Sequence, residues 1–368
     1  MDYTTALKQY TDTYLDKQEC TGLLTHRWPA LFALLPEDWW YPESPLRQWL
    51  NYSRHPTYER ALTLFQEELV CIADRFPNHF RHWIGSIAVS QQFWAKRFES
   101  MAVYRLISSG LDVVALDVKS ASSNNDIDIM VRDNIETVYV ECTSARKPPN
   151  ESEEQTVRLH AFDYLIARFR EIPGSYVIDC NIMPDLMDKK SVDGFVQIFS
   201  DFISEFQPIK QVKWKEIPGY PMARKSYPGQ CAATIMPGTR LLPTQVGGFG
   251  RPFVDASGRA LQSKIRRKLS QSREFSGQRI LLIDCSFRPE MLFSNSLGIK
   301  DDVKVALQHD KNHVFSYIVL CQTTIESDDR LFMGHAYSAP WATDPQTPLV
   351  TSILAATKAT GGVHRVVF

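Results

Sequence analysis

Acidic residues at alternating positions of two predicted strands are the part of this sequence best suited to chemistry. In the run NNDIDIMV, Asp126 and Asp128 lie on one strand face, and in the run TVYVECT, Glu141 and Thr143 lie opposite an apolar face. A hairpin that turns both apolar faces inward places Asp128 and Glu141 on the same side of the sheet. Two close carboxylates repel each other unless a proton or a cation compensates them. Because Mg²⁺ favours one or two carboxylates and keeps several waters, the pair predicts a hard-metal site.

A third acid, Glu99, belongs to the helix that precedes these strands. Apolar residues stand at i−4, i+3, i+4 and i+7 from it, so Glu99 lies on or beside the apolar stripe of the helix. An acid that leans inward near two strand carboxylates extends the predicted site. An ordinary ion pair with Lys96 or Arg105 is the alternative.

Residues 98–147 resemble the PD-(D/E)xK (restriction-endonuclease-like) nuclease superfamily. The resemblance rests on a helical Glu, an Asp on one strand and a Glu on the next strand, followed by a helix. It implies that Asp128 is a metal ligand, with Asp126 as an accessory acid. It also implies that Glu141 and the carbonyl of Cys142 bind the same Mg²⁺ or Mn²⁺. Glu99 would then hold a metal-bound water or a second ion.

The sequence departs from the superfamily pattern at the lysine of the (D/E)xK strand, where Thr143 stands instead. A threonine can hydrogen-bond a water or a phosphate but supplies no positive charge. Lys147, four residues on, is expected to reach back with Thr143 into the site, and Arg146 is the alternative. Other members of the superfamily relocate this lysine or lack it. A nuclease fold that no longer cuts is the competing interpretation.

The order of predicted elements indicates an α/β fold with a restriction-endonuclease-like central mixed sheet flanked by helices. We expect four or five strands, and we expect the strand at 175–183 to follow the helix at 153–172 in a β-α-β unit. Residues 1–88 read as a helical N-terminal domain. Residues 89–368 read as the nuclease-like α/β domain, with an insertion at about 190–250.

A basic helix is the candidate surface for nucleic acid. The formal net charge is −1, so binding must depend on a local patch. Leu261, Ile265 and Leu269 predict an apolar edge that turns the charges outward. The predicted phosphate-binding residues are Lys264, Arg266, Arg267, Lys268 and Arg273. A solvated helix face with no ligand is the alternative.

Other features narrow the class of protein. The seven cysteines have no metal-ligand spacing, which favours buried free thiols over structural zinc. The chain has no apolar leader and no run of about twenty apolar residues, so we expect a cytoplasmic protein without membrane contact. The aromatic residues of the N-terminal helices are expected to pack in a core, with a protein partner or homodimer surface as the alternative. His79 and His82 are expected to be surface or capping histidines.

These observations lead to one expected function and two competitors. We expect a metal-dependent endonuclease that hydrolyses phosphodiester bonds in DNA, with RNA as an open alternative. Defence against foreign DNA fits what the superfamily often does. A catalytically silent nuclease fold, acting as a nucleic-acid-binding or assembly module, is the first competitor. A merely polar strand edge is the second.

Overall fold

The structure is a computed structural model, and its described residues cover most of the chain. The described residues are 3–11, 14–41, 44–51, 53, 56–88, 90–120, 126–144, 149–174, 176–205, 213–220, 230–237, 245–247, 257–272, 275, 277–285, 299–323, 332–342, 346–357 and 363–367. None of the helices among them is long and apolar enough to cross a membrane.

Among the described residues, seven helices precede the first strand, and helices and strands are interspersed after it. The helices are α1 (Tyr3–Thr11), α2 (Lys17–Arg27), α3 (Pro29–Leu34), α4 (Pro45–Asn51), α5 (Pro56–Arg75), α6 (Pro77–Trp83), α7 (Ser90–Ser108), α8 (Pro149–Arg170), α9 (Lys189–Ser204), α10 (Ser257–Ser272), α11 (Ile299–Gln308) and α12 (Pro348–Ala356), with 3-10 turns at Ile84–Ala88 and Pro184–Leu186. The strands are β1 (Val113–Lys119), β2 (Asp126–Arg132), β3 (Thr137–Ser144), β4 (Tyr176–Asn181), β5 (Lys213–Pro218), β6 (Gln230–Pro237), β7 (Gln245–Gly247), β8 (Gln278–Asp284), β9 (Tyr317–Thr323), β10 (Phe332–Ser338) and β11 (Val363–Arg365).

A mixed sheet of seven strands forms the centre of the larger part of the fold. Its strand order is β1-β2-β3-β8-β9-β10-β11. The strands β1, β2 and β3 are antiparallel neighbours, and β8 runs parallel to both β3 and β9. The expected mixed α/β sheet flanked by helices is therefore confirmed, but four or five strands was too few. The strands of the last third extend the same sheet.

The hairpin of β2 and β3 has the predicted alternation. Ile127, Ile129 and Val131 are buried, whereas Asp126 at the strand start is exposed. The helix α7 contacts β3 and β1, and it buries one face of these strands. The sequence pattern alone was sufficient to predict which residues are buried, because apolar and polar residues alternate along a half-buried strand.

The compact units differ from the predicted domains. The smaller unit comprises Met1–Asp16 and Pro148–Val254, and the larger unit comprises Lys17–Lys147 and Asp255–Phe368. The helices at 17–88 thus belong with the seven-stranded sheet, whereas the sequence analysis assigned 1–88 to a separate N-terminal domain. The insertion is also larger than the predicted 190–250, since the described strands β4, β5, β6 and β7 form a sheet of their own.

The predicted β-α-β order was wrong in one element. The strand at 175–183 contains β4, which pairs with β6 and β7 in the smaller unit. The parallel neighbour of β3 is β8, and α10 is the helix just before it. An apolar run reveals a buried strand but not its partner, and β4 and β8 are both apolar runs that follow a helix.

Side chains of the N-terminal helices confirm the core-packing interpretation. Trp28, Trp39, Trp49 and Trp83 are all buried. The ring of Trp49 lies edge-on to that of Phe65, with centroids 5.9 Å apart. The thiols follow the predicted burial: Cys20, Cys142, Cys180, Cys285 and Cys321 are buried, and Cys71 is half-buried.

The apolar edge of α10 fixes that helix against the sheet. Leu261, Ile265 and Leu269 are buried in one cluster with Leu281 and Ile283 of β8. Paired residues of parallel strands share a sheet face, and Leu281 pairs with Glu141 of β3. The helix α10 therefore covers the face on which Glu141 lies.

Ile265→Ala is expected to destabilise the larger unit by about 2–5 kcal/mol, because it leaves a cavity in this cluster. Urea unfolding followed by tryptophan fluorescence measures the loss. Arg266→Ala, on the exposed side of the same helix, is the control and should change stability by no more than about 0.5 kcal/mol. Equal losses in both variants would contradict the packing of α10.

Candidate metal centre

Three carboxylates lie in one row across the strands β1, β2 and β3 when the strand pairing is continued to them. Asp117 and Asp128 lie between the pairs Leu116–Ile129 and Val118–Ile127, and Asp128 and Glu141 come directly after the pair Ile129–Val140. Neighbouring strands lie about 4.8 Å apart, so the row concentrates negative charge. Asp117 has a φ of 46°, in the left-handed region that a residue other than glycine seldom adopts.

Asp128 lies in the middle of this row and is held by the backbone of β3. Its Oδ2 accepts a hydrogen bond from the backbone N–H of Cys142 at 2.6 Å. Burial raises the pKa of Asp128, while Lys268, the Cys142 N–H and Lys96 act to lower it. The backbone contact fixes one carboxylate oxygen at the strand.

Glu141 has one satisfied oxygen and one unsatisfied oxygen. The residue is only 1% exposed, and its Oε1 accepts a hydrogen bond from Nζ of Lys268. Its Oε2 is buried and has no hydrogen-bond partner within the described part of the chain. Burial and the charge of Asp128 raise the pKa of Glu141 to about 8. A buried anionic oxygen without a donor is costly, and a cation would satisfy it.

Glu99 reaches the same set of charges from α7. Trp83 donates its indole N–H to Oε1 at 2.9 Å, and Lys96 donates to Oε2 at 2.8 Å. Burial and the charge of Asp128 raise the pKa of Glu99 to about 8. The ion pair with Lys96 and the link to the strand acids, which the sequence offered as alternatives, are therefore both present.

Lys268 lies in the acid site and not on the outer face of α10. Its side chain is 18% exposed and forms an ion pair with Glu141. Burial acts to lower the pKa of Lys268, but the charges of Asp128 and Glu141 outweigh it and raise the pKa. The expectation that the charges of α10 all point outward was wrong for this residue, because the helix packs on the sheet face that carries Glu141.

The other predicted residues are more scattered. Thr143 is half-buried on the face of Glu141, and Asp126 is exposed at the start of β2, opposite Lys119. On α10, Arg266 and Arg267 are exposed and Lys264 is half-buried. Lys147, Arg146 and Arg273 lie outside the described residues.

Three residues of the cluster were not predicted as parts of the site. Asp117 is an acidic residue within an apolar strand run, and this was the one signal in the sequence that could have marked it as part of the site. His79, expected at the surface, is only 15% exposed, with its Nδ1 3.5 Å from Oδ2 of Asp117. Lys96 was recognised only as a partner of Glu99, yet Asp117 and Asp128 also act on its pKa.

The charges of this cluster do not balance without a further cation or protons. Four carboxylates (Glu99, Asp117, Asp128 and Glu141) face two ammonium groups (Lys96 and Lys268), which leaves two negative charges when all are ionised. The raised pKa values of Glu99 and Glu141 follow from burial and from this excess, because a proton on a carboxylate removes one negative charge. One divalent metal ion would do the same, so the residues fit such an ion.

Comparison with known proteins adds no constraint to this geometry. No family model, no curated protein and no solved structure matches the chain.

Stability without metal is expected to fall as the pH rises from about 5 to about 8. The pKa values of Glu99 and Glu141 rise from 4.5 to about 8 on folding, so the folded chain binds more protons than the unfolded chain in that interval. Deprotonation then penalises the folded state. Melting temperatures in EDTA across this range measure the effect.

Glu99→Gln and Glu141→Gln should each flatten this pH dependence, because an amide does not titrate. Saturating Mn²⁺ should flatten it in the unchanged chain. Parallel curves for the three proteins in EDTA would contradict the raised pKa values.

Proposed function

We propose that this protein is a metal-dependent nuclease that hydrolyses phosphodiester bonds in DNA. The observation that carries the proposal is the ion pair of Lys268 with Glu141, next to Asp128. Two strand carboxylates and an amine are the group that the PD-(D/E)xK resemblance calls for. Thr143 stands at the usual lysine position, and Lys268 provides the amine from a different element.

The order of elements supports the same proposal. The helix α7 carries the helical acid, the antiparallel strands β1, β2 and β3 carry the strand acids, and α10 precedes the parallel strand β8. This is the succession that the resemblance implies, with the segment Pro148–Val254 of the smaller unit inserted between β3 and α10 in the sequence. Lys268 thus belongs to the helix that leads into the next parallel strand.

Asp128 and Glu141 are the residues that would hold Mg²⁺ or Mn²⁺. Glu141 has a buried oxygen without a donor, and an oxygen ligand of this kind suits either ion. A bound ion supplies a water of lowered pKa and stabilises charge on a phosphoryl oxygen. Glu99, fixed by Trp83 and Lys96, would orient a water next to Asp128.

Lys268 has two roles in this proposal. Its ammonium holds Oε1 of Glu141, which leaves Oε2 of the same carboxylate for the ion. Because the charges of Asp128 and Glu141 raise its pKa, it stays protonated and can stabilise the negative charge that develops on the phosphate. Thr143, on the same sheet face, offers a hydroxyl to a water or a phosphate oxygen.

The exposed arginines of α10 are the candidate contacts for the nucleic-acid backbone. Arg266 and Arg267 lie on the same helix as Lys268 and are open to solvent. Guanidinium groups bind phosphate in a bidentate manner, and their contribution weakens as salt rises. A surface of this kind contacts phosphates without reading the base sequence, so we expect binding with a strong salt dependence, and DNA is the substrate class that the resemblance implies.

Asp128→Asn and Glu141→Gln are each expected to lower the cleavage rate by at least about 10²–10³-fold, because each removes a charge that would hold the ion. Supercoiled plasmid, single-stranded DNA and single-stranded RNA, each with Mg²⁺, Mn²⁺ or EDTA, provide the assay. Asp74→Asn is the control, since Asp74 is an exposed acid of α5 that has no role in the proposed site.

Cleavage that survives both substitutions would place the activity elsewhere and overturn the assignment. Binding of DNA without cleavage under any metal would favour a silent module. Faster cleavage of RNA than of DNA would change the substrate class.

Lys268→Met is expected to lower kcat by about 10²-fold or more, because the developing charge on the phosphate loses its ammonium partner. Lys268→Arg should recover part of the rate, since it restores the positive charge with a different shape. Arg267→Met should chiefly raise KM and weaken its salt dependence. A Lys268→Met variant with unchanged kcat would show that this lysine only balances charge.

A further inference from the structure

A second group of metal-binding side chains lies next to the strand acids. One ligand atom each from His79 of α6, Glu99 of α7 and Asp117 of β1 lie within 4.8 Å of one another. The three residues come from three elements and include a nitrogen donor. Neither the resemblance nor the proposed nuclease mechanism uses His79 or Asp117.

We propose that His79, Glu99 and Asp117 form a cation site that takes Mn²⁺, or another first-row transition ion, in preference to Mg²⁺. The site goes beyond the nuclease proposal, because metal binding here can be measured in protein that cuts nothing. It also gives that proposal a specific metal preference.

The spacing of the donors suits a bound ion. Nδ1 of His79 lies 3.5 Å from Oδ2 of Asp117. Two ligands that each lie about 2.1 Å from one ion are about 3 to 4 Å apart. Nε2 of the same ring is buried and has no hydrogen-bond partner among the residues that the structure describes. An ordinary buried structural histidine would have its ring nitrogens satisfied.

The surroundings of Glu99 are those of a fixed ligand. Its side chain is 6% exposed, and the indole N–H of Trp83 holds Oε1 at 2.9 Å. A hydrogen bond from a neighbouring group orients a carboxylate ligand and limits its movement.

A positively charged group, the ammonium of Lys96, already lies next to Glu99. The ammonium of Lys96 lies 2.8 Å from Oε2 of Glu99. The charges of Asp117 and Asp128 also act at this position, so a metal ion would compete with the ammonium for Glu99.

The nitrogen donor decides which ion is preferred. Mg²⁺ binds through oxygen and keeps several waters, whereas imidazole suits transition ions. Since His79 supplies a nitrogen atom to the group, the site suits Mn²⁺ or another transition ion better than Mg²⁺.

Pulsed electron paramagnetic resonance on the full chain loaded with Mn²⁺ tests the site. Electron spin-echo modulation from a directly bound ¹⁴N nucleus is expected, and an excess of Mg²⁺ should leave it in place. His79→Gln should abolish the modulation. His82→Gln should retain it, because His82 is an exposed histidine one helical turn away.

Bound Mn²⁺ without nitrogen modulation would overturn the site, and so would modulation that persists in His79→Gln.

Lys96→Met offers a second test that leaves all three ligands intact. Removal of the competing ammonium should tighten Mn²⁺ binding several-fold in titration calorimetry, and an unchanged or weaker affinity would contradict the proposal.

The two proposals can fail separately. Nitrogen modulation in a protein that cuts no nucleic acid would support the cation site and count against the nuclease. Metal-dependent cleavage by a protein whose bound Mn²⁺ has only oxygen ligands would support the nuclease and count against the cation site. Asp128→Asn should lose cleavage and keep the nitrogen modulation, because Asp128 is not among the three ligands.

Discussion

The repulsion between carboxylates at one place in the sheet is the constraint on which this structure depends. Asp117, Asp128 and Glu141 lie on three neighbouring strands, and Glu99 approaches from a helix. Such a group is unfavourable by itself, and the fold compensates it with the ammonium groups of two helices. Unfavourable charge that is kept within a buried sheet is typical of a functional site, since a purely structural core would use apolar side chains there.

Local pattern was enough to predict the centre of this site. The alternation along β2 and β3 indicated that Asp128 and Glu141 share a face, and the apolar neighbours of Glu99 indicated that it leans inward. Each of these inferences uses residues from one short stretch of the chain. The same locality explains why the aromatic N-terminal helices were predicted correctly as packing elements.

Contacts between distant residues were beyond the reach of such patterns. Lys268 and Glu141 are 127 positions apart, and the segment Pro148–Val254 of the smaller unit lies between them in the sequence. The basic run of α10 predicted a charged surface correctly for Arg266 and Arg267 but not for Lys268. The side of α10 that meets Glu141 depends on how this helix packs on the sheet. That packing is decided by β8, the parallel neighbour of β3, whereas the sequence indicated β4 as that neighbour.

Because Lys268 lies on α10 and not on β3, its position next to Glu141 does not depend on the length of chain between β3 and α10. An amine on the strand of Glu141 would be fixed by the geometry of β3 alone. An amine on α10 depends on the cluster of Leu261, Ile265 and Leu269, which anchors that helix to β8. Since β8 pairs with β3 along its whole length, the anchor stays next to Glu141 whatever chain is inserted between β3 and α10. The sheet pairing, and not the continuity of the chain, therefore keeps the ammonium at the carboxylate, and the strand position occupied by Thr143 is free to carry a residue without charge.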